Sequence, residues 1–263
     1  MSTGAASGES RPTVSIILAT LNERGNLPEL LEGILRQPLP PFEVIVVDDG
    51  STDGSREFLT GVQARDDRLR LIFHDGKQTT LRAQCMGIEA ARGEFVIVMD
   101  ADLQHPPDRI PAMVRELAGG AGVVVASRYA PEGAPGPRTV MRTVISRGAE
   151  WIAKFALTEA RRVTDPVSGF FGFRRELMCS LNPLYRGYKL LVFVLVMNQG
   201  RPVAEVGFRF EPRKRGTSKV TQTLRFFRIF LVEVVLAKRL ERAIRVHPES
   251  IARLPQPRGT DAV

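Results

Sequence analysis

Two rhythms of apolar residues alternate along the first half of the chain. Short unbroken runs have the length and β-branched content of buried strands: TVSIILAT (13–20), FEVIVVDDG (42–50), LRLIFH (69–74), EFVIVMD (94–100) and VVVAS (123–127). The segments between them carry helical spacing. In NERGNLPELLEGILRQ (22–37), Leu27, Leu30, Leu31, Ile34 and Leu35 fall on one face. STDGSREFLTGVQAR (51–65) supplies Thr52 or Asp53 as the N-cap of the next helix. TTLRAQCMGIEAARG (79–93) and PPDRIPAMVRELAGG (106–120) complete the series. Strand–helix alternation with continuously apolar strands predicts an α/β fold, a mostly parallel sheet covered on both faces. Polar loops at the carboxyl ends of such strands form the ligand crevice.

Beyond about residue 126 the rhythm changes. SRYAPEGAPGPR (127–138), rich in Pro and Gly, predicts an irregular loop, and TVMRTVISRGAEWIAKFAL (139–157) a helix studded with arginines. VTDPVSGFFGFRREL (163–177) reads as turns, GYKLLVFVLVMNQG (187–200) as a buried helix or strand, and VAEVGFRFEP (203–212) as a half-buried strand. A long helix starts after Ser218. Its apolar centre, FFRIFLVEVVLA (226–237), is interrupted by Arg228 and Glu233 and falls short of the roughly twenty residues that span a bilayer. No transmembrane helix is therefore expected. Residues 1–11, small and polar with no apolar core, predict a disordered tail rather than a signal peptide, and 248–263 a second tail. The body divides into one domain over 12–217, with halves at about 12–126 and 127–217, and a basic amphipathic annex over 218–247.

Charge sharpens the view of that annex. The net charge is +8, and the stretch Arg201 to Arg245 holds twelve Lys/Arg against four Asp/Glu, leaving the rest balanced. A nucleic-acid surface, an anionic membrane surface and a solvated basic face all fit such a run. The intact Asp100-Ala101-Asp102 triplet argues against a nucleic-acid module. Cys85 and Cys179 match no metal-ligand spacing, so a reducing cytoplasm fits better than a disulfide scaffold.

The chemistry sits at the strand ends. Asn22 and Glu23 follow the first strand, Asp48 and Asp49 the second, and Asp100, Asp102 and Gln104 the fourth. Buried strand ends do not carry unpaired carboxylates, so Asp100 and Asp102 must meet a metal ion, an arginine or water. Three polar clusters at one sheet edge point to a site. Carboxylate and amide oxygens suit a hard divalent cation, Mg²⁺ or Mn²⁺, carrying a diphosphate. Asp48 and Asp49 would lie near the base or ribose of a nucleotide. Neither GxxxxGK[ST] nor GxGxxG follows the first strand, which removes P-loop ATPases and dinucleotide oxidoreductases.

These residues resemble the GT-A fold glycosyltransferases of family 2, and in particular the dolichol-phosphate (polyprenyl-phosphate) mannose synthase group. The likeness rests on NERGNLPEL, VVDDGSTDGS, MDADLQHPP, ASRY, RTVISRGAEW, VTDPVSGFFGFRREL, RGYKLL and RKRGTSK, over roughly 13–219. It implies metal binding at Asp100, Asp102 and Gln104, and nucleotide-sugar contacts at Ala19, Leu21, Glu23, Asp48, Asp49, Asp100, Ala101, Asp102 and Arg213. It implies an acceptor-phosphate site at Arg128, Arg142 and Ser146, with Asp102, Arg128 and Arg213 closest to catalysis. Arg142 and Ser146 are four apart and share a helical face. His105 is assigned beside the ligands rather than among them, and Lys219 to structure.

Departures from the family pattern matter as well. LATLNE places Ala19 and Leu21 where relatives commonly carry Pro and Tyr, and GYKLLVFVL lacks the acidic residue expected after its leucines. No Glu-Asp dipeptide and no QxxRW occurs. A phosphate acceptor is already anionic near neutral pH and needs positioning rather than a general base. The resemblance thus implies inverting, metal-assisted transfer of mannose from GDP-mannose to a polyprenyl phosphate, at the cytoplasmic face of a membrane, with or without a membrane-protein partner. A UDP-sugar donor, a non-lipid acceptor and a non-catalytic nucleotide-binding module are the alternatives.

Overall fold

The computed structural model describes residues 12–74, 79–136, 140–178, 189–211 and 223–246. Strands β1 (Val14–Thr20), β2 (Phe42–Asp48), β3 (Leu69–Phe73) and β4 (Phe95–Asp100) are joined by helices α1 (Leu27–Leu35), α2 (Ser55–Gln63) and α3 (Thr80–Ala90). All four strands run parallel, as crossover helices require. Helix α4 (Ile110–Ala118), strand β5 (Val123–Ser127) and helix α5 (Val140–Ala156) follow. Strand β6 (Phe171–Arg174), helix α6 (Leu190–Met197), strand β7 (Val203–Gly207) and helix α7 (Thr223–Val246) complete the chain order. The seven-stranded sheet runs β3-β2-β1-β4-β6-β5-β7.

Within the turn-rich segment 163–177 the structure adds a short strand, β6. Four residues are too few to show alternation, yet β6 lies antiparallel between β4 and β5. Glycine makes this possible: a Cβ at Gly172 would overlap Ile97 on the neighbouring strand. The cap of α2 also differs from expectation. Gly54, at φ 84°, is the N-cap, because the turn needs a left-handed residue there. Asp53, one residue earlier, accepts the Ser55 amide (3.1 Å) and hydroxyl (2.6 Å).

Two apolar layers cover the sheet. α1 and α4 pack Leu27, Leu31, Met113 and Leu117 on one face, and α3 and α6 pack Leu81, Ile88, Leu191 and Leu195 on the other. All eight residues of α6 are buried, so the apolar run Leu190–Met197 is a core helix rather than a strand. Its outer side meets α5 and α7, where Ala149, Ala153, Phe193, Phe230 and Val234 form a third cluster. No described helix is long and apolar enough to cross a membrane.

Candidate active site

Strand register builds the acidic edge. Thr20 stands opposite Asp48 and Ala19 opposite Asp100, so β1 ends between the two carboxylates. Neighbouring strand positions point to opposite faces, and the aspartates leave the sheet on opposite sides. Asp48 is fully buried; its Oδ1 accepts the Ser51 amide (3.0 Å) and Arg56 Nε (2.7 Å). Its Oδ2 is buried with no hydrogen-bond partner among the described residues. A buried acceptor in that state is costly until a donor arrives, and a nucleobase or ribose could supply one. Asp49 follows, buried, with its amide on the Thr20 carbonyl (3.0 Å).

The loops after β1 and β2 are laced together. Asn22 adopts φ 52°, its amide donates to Ser51 Oγ (2.8 Å), and its Oδ1 accepts the Thr52 amide (2.8 Å). The Arg24 amide donates to Asp53 Oδ2 (2.9 Å). Half-buried Leu21 belongs to the same loop, while the Glu23 carboxylate accepts Asn26 Nδ2 (2.7 Å) at the start of α1. Leu21, Glu23, Asp48 and Asp49 therefore lie on two loops tied together by hydrogen bonds.

After β4 the chain turns sharply through buried Ala101 and Asp102, with Leu103 at φ 63°. Asp102 Oδ1 accepts the Gln104 amide (3.2 Å), while the Asp100 side chain is 44% exposed at the mouth. Gln104 Nε2 donates to the Glu211 carbonyl (3.1 Å), and the Glu211 amide returns to the Gln104 carbonyl (3.3 Å). The amide nitrogen is thus committed, and Oε1 is the atom with which Gln104 could ligate. His105 anchors the turn from beneath. It is buried against Phe170 (ring centroids 5.2 Å, stacked), Phe208 and Phe210, and its Nδ1 accepts the Asp100 amide (3.0 Å). Burial pushes its pKa down, against the raising pull of Asp100 and Asp102. With Nδ1 used as an acceptor, the 3.9 Å approach to Asp100 Oδ2 is no ion pair. Gly169 closes the back: a Cβ there would sit 3.1 Å from Asp100 Oδ2 and 3.2 Å from His105 Cε1.

Cations face this turn. Arg128, just past β5, is buried and grips Asp165 in bidentate fashion, Nε–Oδ2 2.6 Å and Nη2–Oδ1 2.7 Å. Burial opposes its charge, but Asp165 more than offsets this and the pKa rises. Glu150 of α5 lies 3.7 Å from the same guanidinium and accepts Ser146 Oγ (3.2 Å) and Arg147 Nη1 (3.4 Å). Lys189, at the start of α6, shares the electrostatic field of Arg128, Asp100 and Asp165. His105 feels the charges of Asp100, Asp102, Arg128 and Lys189, which places these four near the turn it anchors. Ser146 lies on α5 near Arg128 through Glu150; the side chain of Arg142, and all of Arg213 and Lys219, lie outside the described residues. Asp165, Arg56 and Lys189 were not singled out from the sequence. Asp165 stood inside a quoted motif, but nothing local marks a carboxylate as an arginine's partner thirty-seven residues away.

Acidic turns at the carboxyl edge of this sheet, facing buried cations, define a GT-A glycosyltransferase. The chain belongs to glycosyl transferase family 2, whose model matches residues 15–180. It is 37% identical over 211 residues to a dolichol-phosphate mannosyltransferase of Pyrococcus furiosus, covering 79% of this chain and 59% of that protein. The chain therefore spans under two thirds of that relative. It is 32% identical to a dolichol-phosphate mannosyltransferase of Mycosarcoma maydis (84% of this chain, 78% of the relative). It is 30% identical to a polyprenol monophosphomannose synthase of Mycolicibacterium smegmatis (89% and 91%). Among solved structures, mannosyl-3-phosphoglycerate synthase from Rubrobacter xylanophilus superposes with TM-score 0.63 at 20% identity (96% of this chain, 79% of the other). Glucosyl-3-phosphoglycerate synthase from Mycobacterium tuberculosis gives 0.61 at 20% identity (97% and 87%). These two likenesses concern the fold.

Proposed function

We propose that the protein transfers mannose from GDP-mannose to the phosphate of a polyprenyl phosphate, with inversion and with a divalent cation. The observation that carries this is the acidic turn of Asp100 and Asp102 near buried Arg128, with the acceptor-side acids already engaged. Asp165 is locked on Arg128, and Glu150 is shared by Arg128, Arg147 and Ser146. Neither is placed as a general base, which suits an acceptor that arrives ionised. The names of the curated relatives support the acceptor class and the sugar.

The donor set fits a cation delivered with its substrate. Among the described residues no three His, Cys, Asp or Glu side chains could hold a metal alone. Asp100, Asp102 and Gln104 Oε1 supply hard oxygen ligands from one turn, and diphosphate oxygens would complete the shell. Solved neighbours of the same fold contain Mn²⁺ with UDP-glucose, which agrees with this assignment. Such a cation neutralises charge on the departing diphosphate. The chain's own groups do the rest. Asp48 and Asp49 hold the nucleoside, and Arg128, Arg142 and Ser146 orient the acceptor phosphate. Arg213 steadies the donor diphosphate. An acceptor oxygen attacks the anomeric carbon, the bond to the diphosphate oxygen breaks, and GDP leaves with the electron pair.

Membrane association is the second part of the reading. Trp151 (67% exposed) and Phe155 (71%) stack on the outer face of α5, with Val144 about two turns before Trp151, and α7 exposes Leu231, Val232 and Val235 beside Arg228, Arg239 and Arg242. Apolar side chains amid basic ones suit an anionic lipid surface. The deciding experiment offers GDP-mannose, UDP-glucose and UDP-N-acetylhexosamines to a short polyprenyl phosphate, with Mn²⁺ and with EDTA, and identifies products by mass. Mannosyl phospholipid formed only from GDP-mannose and only with metal is the expected result. A product from a UDP-sugar would move the donor assignment, and turnover unaffected by EDTA would remove the metal.

A further inference from the structure

Lys189 is a half-buried cation with too few partners for its charge. Its Nζ donates to the Val167 carbonyl (2.7 Å), and its amide donates to Glu233 Oε1 of α7 (2.9 Å). Among the described residues the ammonium has no other hydrogen bond and no carboxylate within ion-pair distance. An ammonium carries three donors, so two are left over. Burial and the neighbouring Arg128 both act against its charge, and burial is the larger effect. Asp165 and Glu233 favour the charge from a distance, but Asp165 is already committed to Arg128 in bidentate fashion and Glu233 takes the Lys189 amide. Asp100 also favours the charge, but a cation bound at the turn would claim that carboxylate.

Lys189 Nζ holds the carbonyl two residues past Asp165, the residue that grips Arg128, so its spare donors lie near the guanidinium where an anion could take them. We infer that Lys189 is a further acceptor-binding residue, donating to an oxygen of the polyprenyl phosphate beside Arg128. The inference rests on the proposed acceptor class and adds a residue that the likeness to the family did not assign. A dianionic phosphate matches the two cations better than a hydroxyl would, because it satisfies the spare donors and the charge together. The backbone tie from Glu233 to Lys189 then sets this contact at the junction of α6 and α7. The competing role is a structural clip that only holds the Val167 carbonyl and with it the Asp165–Ser168 turn.

The test uses the full chain as wild type, Lys189→Met and Lys189→Arg, with farnesyl phosphate, farnesol, inorganic phosphate and Mn²⁺-GDP as ligands in calorimetry. Lys189→Met is expected to weaken farnesyl phosphate by about tenfold or more and to leave Mn²⁺-GDP within about twofold, with Lys189→Arg recovering most of the loss. Binding of inorganic phosphate should fall in parallel, and farnesol should show no difference between the proteins. Equal weakening of farnesyl phosphate and Mn²⁺-GDP together with a lower melting temperature would make Lys189 a clip. Weakening of Mn²⁺-GDP alone would place it on the donor. Either result overturns the inference, as does unchanged farnesyl phosphate affinity. Failure of the wild type to bind farnesyl phosphate would instead overturn the acceptor class itself.

Discussion

At the scale of single residues, the site works by pairing each buried charge with a dedicated partner and leaving selected atoms open. Asp102 is buried, yet one of its oxygens already holds the Gln104 amide, a bond an asparagine carbonyl can keep. Asp102→Asn should therefore melt within a few degrees of the wild type while losing at least about a hundredfold in turnover, because the leaving group is no longer neutralised. Parallel melting and product-formation assays check this, and activity near the wild-type level would remove Asp102 from the metal site. Asp165 predicts the opposite pattern. Asp165→Asn strips a bidentate partner from buried Arg128, a change that costs about 3–5 kcal/mol in comparable sites. A fall in melting temperature on the order of 10 °C is expected by scanning calorimetry. Cys85 is inert for a different reason: burial pushes its thiol up to about 12. At pH 8 only about one molecule in ten thousand would carry the thiolate. In a Cys179→Ser background, native protein should resist iodoacetamide and become modified only on unfolding, as intact mass would show.

At the scale of elements, short strands and glycines decide what the side chains can reach. β6 runs antiparallel to both neighbours, Gly172 leaves room for the Ile97 side chain, and the chain just before it carries Asp165 to Arg128 and Gly169 to Asp100. Gly169→Ala would press a methyl group against Asp100 and His105, the two residues that shape the metal turn. Overpacking of this kind costs roughly 1–3 kcal/mol, and here the flexible partner is the Asp100 carboxylate. The expected signature is a raised Mn²⁺ requirement with little loss of melting temperature, measured as activity against metal concentration. An unchanged metal requirement would show that Asp100 has room to move. Apolar spacing made α1, α4 and the parallel strands legible. The position of β6 was not, since four residues carry no period and the partner strands lie far away in sequence.

At the scale of the whole molecule, the acidic edge and the exposed faces of α5 and α7 belong to one body, joined through α6. α7 is only partly a surface element: Phe230, Val234 and Ala237 fill the cluster shared with α5 and α6. The apolar surface left over includes Trp151, the single tryptophan of the chain. Its fluorescence should shift to the blue and be quenched by brominated lipid when vesicles rich in anionic lipid are added at low salt, with high salt reversing the effect. Replacing Phe155 with Ser should weaken vesicle binding without lowering the melting temperature, because that ring contributes little to the core. A tryptophan signal indifferent to anionic vesicles would mean that this face does not meet lipid.

The sequence by itself determined the alternating α/β plan, the acidic turns at the strand ends and the short apolar centre of the last helix. Those features depend on local periodicity and on residue types a few positions apart. Only the tertiary structure decided that Leu190–Met197 is a core helix, because an unbroken apolar run satisfies either backbone until neighbours cover it on all sides. It also decided the partners of charge. Arg128 meets Asp165 across thirty-seven residues, and the Glu233 carboxylate accepts the backbone amide of Lys189 across forty-four. Long-range pairing of this kind is set by how strands and helices stack, and no local pattern encodes it.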